Sequence, residues 1–155
     1  MRPSSSPLVT DRPRRAWRGF TLIELLVAMA AMAILAAVAL PAFFEQVARA
    51  RRSEVQAALM ENAAYMQHYY AAHNAYTDTV PPRLPFATVP RKGAANYVLT
   101  VSVPESDPTS FVLTATRSGT MASDACGDFS YDNLGRRELV PGTFAAGRNA
   151  QLCWR

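Results

Sequence analysis

The stretch RGFTLIELLVAMA, residues 18–30, sets an acid, Glu24, at the fifth position of an apolar run that opens at Phe20. A charged side chain at the centre of a bilayer costs roughly 2.5–3.5 kcal/mol on insertion scales, and ionisable groups in such segments usually serve a function. The run continues to residue 44 as FTLIELLVAMAAMAILAAVALPAFF, and Glu24 is its one charge. As a helix these residues span about 37 Å at 1.5 Å per residue, enough to cross a hydrocarbon core of roughly 30 Å. Arg2, Arg12, Arg14, Arg15 and Arg18 precede it against a single acid, Asp11, a cytoplasmic anchor under the positive-inside rule. A signal-anchor, a secretory signal peptide and an exported subunit that keeps its helix all fit this much. Signal peptides have apolar cores of about 7–15 residues ending in small residues. VALPA, residues 38–42, supplies such residues, but the run is longer, carries an acid and continues helically past that point.

The formal net charge of +4 is confined to the head of the chain, since residues from Phe20 onward hold 11 basic and 11 acidic side chains. The total therefore identifies no partner for the folded part. Cys126 and Cys153 stand far apart with no CxxC pair or Cys/His ligand spacing, which argues against zinc. Behind an export-like N-terminus, such a pair suggests a disulfide made outside the cytosol.

Beyond Pro41 the helical pattern resumes. Pro41 lacks a donor and is expected to kink the helix without ending it. Val55, Leu59, Met66, Tyr69 and Tyr76 fall near one face, with Glu45, Arg49, Arg52 and Glu61 on the other surfaces, so one helix is expected from Phe20 to about Tyr76. The cluster YMQHYYAAHNAY, residues 65–76, could stack on bases, but packing of its aromatic face on a sheet is the expected state. His68 and His73 lack a metalloprotease-type spacing. Residues 77–95, with Pro81, Pro82, Pro85, Pro90 and Gly93, read as an irregular connection. NYVLTVSV (96–103) and SFVLTATR (110–117) alternate around the turn PESDPT, an antiparallel hairpin. GDFSYDNLGRRE (127–138) holds two short strands about Asn133–Gly135, and the tail from Pro141 shows little periodicity. The expected fold class is α+β: a long helix against three to four antiparallel strands. No Gly-rich phosphate loop, nucleophile elbow or paired-acid constellation occurs, so no catalytic residue, metal site or cofactor is assigned.

The order Gly19, Phe20, Thr21, Leu22, Ile23, Glu24, Leu25, Leu26, followed by Pro41, closely resembles the type IV prepilin motif. The resemblance implies that a prepilin peptidase cuts between Gly19 and Phe20, methylates the new amine of Phe20 and leaves the helix in place. Glu24 then answers to the family's acid that neutralises the Phe20 amine of a neighbouring subunit, turning two costly buried charges into a pair. The 19-residue leader, with Pro3, Pro7 and Pro13, is longer than many in the family, and Ala33 stands where many pilins have glycine. The pattern ACGDFSYDNLGRRE…CW resembles the disulfide-bounded C-terminal region of small minor pilins, with Cys126 bonded to Cys153.

The resemblance implies a type IV pilin fold with a leader at 1–19, a transmembrane and polymerisation helix at 20–44, an amphipathic helix at 45–76, a connection at 77–95 and a sheet with the disulfide-bounded region at 96–155. It implies a minor subunit of a pilus serving adhesion, twitching motility or DNA uptake, assembled through Glu24 and the helix containing Pro41. Its partners would be other pilin subunits, the prepilin peptidase and the inner-membrane assembly machinery, with no small-molecule substrate. The C-terminal domain would lie in the periplasm before assembly and on an extracellular pilus afterwards. A pseudopilin of type II secretion shares the N-terminus, although the cysteine pair favours the pilus. A pilin-like DNA receptor is the other alternative, with Arg91, Lys92, Arg136, Arg137, Arg148 and Arg155 converging into a strip for phosphates; dispersed, solvated arginines are the competing expectation. A third is an exported soluble binding protein whose apolar segment is removed.

Overall fold

The computed structural model describes residues 19–77 and 81–154. The leader arginines and Arg155 lie outside the described residues. The chain divides into two units, Met1–Leu40 and Pro41–Arg155. Helix α1, Leu22–His73, contributes to both, and its helical assignment runs through Pro41. Thr21 stands just ahead of α1, and its hydroxyl accepts the Glu24 N–H at 3.3 Å, satisfying one of the donors that a helix start leaves without a partner. At the other end α1 stops three residues before the expected Tyr76. Asn74 takes a left-handed φ of 56° while its N–H still reaches the Tyr70 carbonyl at 2.7 Å. Asparagine tolerates this conformation well and closes helices with it.

In the C-terminal unit, five strands follow: β1 (Thr88–Val89), β2 (Tyr97–Ser102), β3 (Val112–Arg117), β4 (Phe129–Asp132) and β5 (Arg137–Leu139). They form one antiparallel sheet in sequence order, β1-β2-β3-β4-β5. The hairpins expected at 96–117 and 127–138 are present. The strand beyond the expected three to four is β1, a two-residue edge whose prolines to either side hid it in the sequence. A short helix α2, Ala150–Cys153, occupies the tail. Asn149 caps it by accepting the Leu152 N–H, a local start signal in a segment that shows little periodicity.

The period-2 alternation of the strands sets the core. Register places Leu99, Ala115, Phe129 and Leu139 side by side across four strands, and all four are buried. They join Val55, Leu59 and Met66 of α1 in one cluster with Tyr97, Phe111 and Tyr76. The expected helix face thus forms, with two changes. Tyr76 packs from beyond the helix end, edge-on to Phe111 at 4.7 Å, while Tyr69 is only half-buried and stacks on His73 at 4.1 Å. Tyr65 and Tyr70 are partly buried against the core, so the aromatic cluster largely packs on the domain.

Arg52 departs from the expected surface position. It is 6% exposed, and its guanidinium forks onto the Asp124 carboxylate, with Nε at 3.0 Å, while Nη1 reaches Glu45 at 3.1 Å. The hydrogen bond to Asp124 comes first among the causes that push the arginine further above its ordinary range. A carboxylate 72 residues away in sequence supplies the partner, so helical spacing alone gives no sign of it. One turn on, Gln56 donates to the Cys153 carbonyl at 2.7 Å. The Cys126–Cys153 disulfide forms, with Cα atoms 5.8 Å apart, so α1 holds both ends of the bridge, through Asp124 beside Cys126 and directly at Cys153. Gly127 completes this corner: at φ 74°, a Cβ there would meet Thr143 and Phe144 backbone within 2.8 Å.

Arg52→Ala is expected to lower the unfolding free energy by roughly 3–5 kcal/mol, because Asp124 would remain buried without its partner. Replacing both partners, as Arg52→Met with Asp124→Leu, should restore most of the loss. Urea denaturation of the oxidised protein checks both variants.

Candidate assembly helix and nucleic-acid interface

Residues 19–44 are exposed throughout. Phe20 is 85% and Leu22 76% exposed, and every large apolar residue from there to Phe44 is open in the same way. A helix apolar on all sides has to be covered by lipid or by other helices. By length and composition α1 is suited to crossing a membrane. Glu24 occupies the first turn of α1, where a carboxylate is favoured by the positive end of the helix dipole. That local role accounts for the acid's position at a helix start; its presence in an apolar segment still calls for a counter-charge.

The described basic residues proposed for DNA occupy three separate places. Arg91 and Lys92 follow β1, whereas Arg136 precedes β5 and Arg137 begins it. Because β1 and β5 are the opposite edges of the sheet, these four residues do not converge into the single strip considered from sequence. Arg91 pairs with Glu61 and lies 3.6 Å from the Phe86 ring centre. Lys92 has no ion pair among the described residues. Arg83, between α1 and β1 in the stretch PPRLP and not among the candidates the sequence suggested, is exposed and likewise has none.

At the other edge, Asp132 organises the β4–β5 turn. Burial alone would raise its pKa, but N–H donors from Arg136 and Leu134 and the Arg136 guanidinium hold it below the ordinary 3.8. Arg136 is thereby engaged. Arg137 shares a register row with Leu113 and Tyr131, which turns it towards the helix-covered face. It reaches the Met60 sulfur at 3.8 Å and lies 6.0 Å from the Trp154 ring centre. Arg148 belongs to neither edge strand; it precedes α2 and lines a cavity with Arg49 and Ser53 of α1. Among the described residues, no group of three or more His, Cys, Asp or Glu side chains is placed to hold a metal ion.

Comparison with known proteins matches both parts of the chain. Residues 18–40 match the family model of the prokaryotic N-terminal methylation motif. Residues 41–130 match the model described as type IV minor pilin ComP, DNA uptake sequence receptor. The type IV major pilin protein PilE1 of Neisseria gonorrhoeae is 37% identical over 86 residues, covering 56% of this chain and 39% of that one. The type IV major pilin protein PilA of Myxococcus xanthus is 38% identical over 61 residues, 39% of this chain and 28% of that one. The chain thus spans about two-fifths or less of the length of these curated relatives. Among solved structures, a type IV pilin from Shewanella oneidensis is 21% identical with a TM-score of 0.43, covering 69% of this chain and 97% of that one. The Neisseria meningitidis non-core minor pilin PilV is 19% identical with a TM-score of 0.44, covering 65% and 96%. With the methylation motif ahead of it and the ComP model covering more than half of its residues, the chain belongs to the ComP family of type IV minor pilins.

Proposed function

We propose that the chain is a minor subunit of a type IV pilus that presents its folded domain to DNA during uptake. The observation that carries this reading is the pairing of the two family matches: a methylation motif on the apolar segment and a DNA-uptake receptor model on the domain. On this reading a peptidase cuts between Gly19 and Phe20, methylates Phe20 and leaves α1 in the inner membrane with the domain in the periplasm. Assembly then moves the helix from lipid into a bundle of neighbouring helices, where the Phe20 amine of one subunit meets Glu24 of the next. The protein has no reaction to perform; its partners are pilin subunits, the processing peptidase, the assembly machinery and DNA.

For DNA the β1 edge is the better placed of the two. Arg83 and Lys92 carry no acidic partner among the described residues, whereas Arg136 is tied to Asp132 and Arg137 lies by Trp154. The β1 edge also lies inside the span of the receptor model, and Arg136, Arg137 and Arg148 lie outside it. Binding through phosphates should weaken steeply with salt as counterions are released.

Two measurements test the reading. Glu24→Ala and Glu24→Gln should insert and be cleaved normally, the alanine lowering the insertion cost, but both should be depleted from sheared surface fibres relative to membranes. Normal incorporation of both would remove Glu24 from assembly. For DNA, fluorescence anisotropy of the mature chain in detergent with a short duplex should show a salt slope that flattens by about one unit per arginine or lysine removed from a phosphate contact. Arg83→Ala with Lys92→Ala should flatten it; Arg136→Ala with Arg137→Ala should leave it nearly unchanged. The reverse pattern would move the interface to the β5 edge, and an absence of binding would end the DNA reading while leaving the pilin assignment intact.

A further inference from the structure

A solvent-open cavity of about 360 Å³ lies between the start of the domain's helix and the tail, with Glu45, Arg49, Arg52, Ser53, Gln56 and Arg148 among its lining residues. Three guanidiniums and one carboxylate face it. The carboxylate is already engaged: Glu45 accepts from Arg52 at 3.1 Å and from Arg49 at 3.4 Å, and Arg52's hydrogen bond leads the causes that lower its pKa. Arg52 is shared between Glu45 and Asp124. Ser53 donates to the Arg49 carbonyl and Gln56 places one of its two amide protons on the Cys153 carbonyl, and neither adds charge to the cavity. Arg148 has no ion pair or hydrogen bond among the described residues apart from its own backbone N–H to Ala145. A half-buried guanidinium without a partner, beside the partly used fork of Arg49, presents planar donors that match a phosphate.

The position of the cavity along the chain selects the kind of phosphate. The apolar run ends at Phe43 and Phe44, whose rings are 62% and 65% exposed; with no polar atom they favour the hydrocarbon, and the charged Glu45 that follows marks its edge. Arg49 follows Phe44 by five residues, about 7 Å of helix rise. Each headgroup layer is itself roughly 5–7 Å deep, the difference between a hydrocarbon core of about 30 Å and a whole bilayer of about 40–45 Å. Arg49 therefore reaches the depth of lipid phosphates when Phe44 sits at the edge of the hydrocarbon, and Arg148 lines the same cavity.

We infer that this cavity binds the phosphate of an anionic phospholipid headgroup while the subunit waits in the membrane. Arg148 and Arg49 are the ligands, and Arg52 with Glu45 fixes the wall behind them. The inference rests on the membrane-anchored reading above and adds a lipid as a partner. A DNA phosphate has the same chemistry, but the headgroup depth of Arg49 favours the lipid.

The test is native mass spectrometry of the delipidated mature chain in detergent, titrated with phosphatidylglycerol and with phosphatidylcholine. Wild type should retain phosphatidylglycerol in preference, and Arg148→Ala should weaken that binding about fivefold, the usual weight of one basic residue at an anionic membrane surface. Arg148→Lys should recover part of it, and Arg136→Ala, whose guanidinium is tied to Asp132 at the far edge of the sheet, should leave phosphatidylglycerol retention unchanged. A thiol assay showing no free cysteine confirms that each variant keeps its tail in place. Equal binding of both lipids, or no effect of Arg148→Ala, would overturn the site. If Arg148→Ala weakened duplex DNA binding and left phosphatidylglycerol untouched, the cavity would belong to DNA and the lipid proposal would fall. A chain that stayed soluble without detergent and floated with no vesicle of either composition would overturn the membrane reading itself.

Discussion

One helix has to satisfy two solvents, and that constraint governs the rest of the molecule. Up to Phe44, α1 is apolar on every side and exposed. From Arg52 to Met66 it buries one stripe, with Val55, Leu59 and Met66 joining the sheet in a single core. The change runs over two turns, through the half-buried Val47 and Ala48, to Arg52, the first fully buried side chain. Its buried pair with Asp124 costs desolvation that the Coulomb attraction repays only with good geometry, and the fork onto Asp124 provides that geometry. The arginine joins the start of the domain's helix to the loop that carries Cys126. Gln56 and the disulfide then close the tail onto the same region. Removing a 27-residue loop's freedom from the unfolded chain is worth about 3–4 kcal/mol in the chain-entropy model, so the tail contributes to the fold as well as covering it.

Features that repeat along the chain are legible in the sequence itself. Alternation at Tyr97, Leu99 and Val101, and at Phe111, Leu113 and Ala115, gave the hairpin because a half-buried strand has a period of two. The motif Gly19–Leu26 pointed to the family that the comparisons show. What escaped notice depends on partners distant in sequence or on single residues. Arg52 looks like any surface arginine until Asp124 is placed beside it, and β1 is two residues long between prolines. Asn149, by contrast, carried a usable sign of the helix it caps, overlooked because the tail lacks periodicity.

The functional residues divide along the same line. Charge alone marks the DNA candidates in the sequence, and charge says nothing about which edge of a sheet a residue occupies. The order β1-β2-β3-β4-β5 separates Arg91 and Lys92 from Arg136 and Arg137, while ion pairs and ring contacts engage Arg91, Arg136 and Arg137. Arg83 gains interest only because the fold leaves it exposed and unpaired among the described residues. Glu24 differs from all of these. Its cost in an apolar run is visible in the sequence itself, and the structure adds a position in the first turn behind Thr21.

The central claim is that α1 is kept whole, as both membrane segment and core helix. The most direct measurement is the intact mass and N-terminal fragment spectrum of the chain recovered from cell envelopes. The account predicts a chain that begins at Phe20 and is one methyl group heavier than the unmodified sequence. A chain that begins near Ala42, with the apolar run removed, would contradict it.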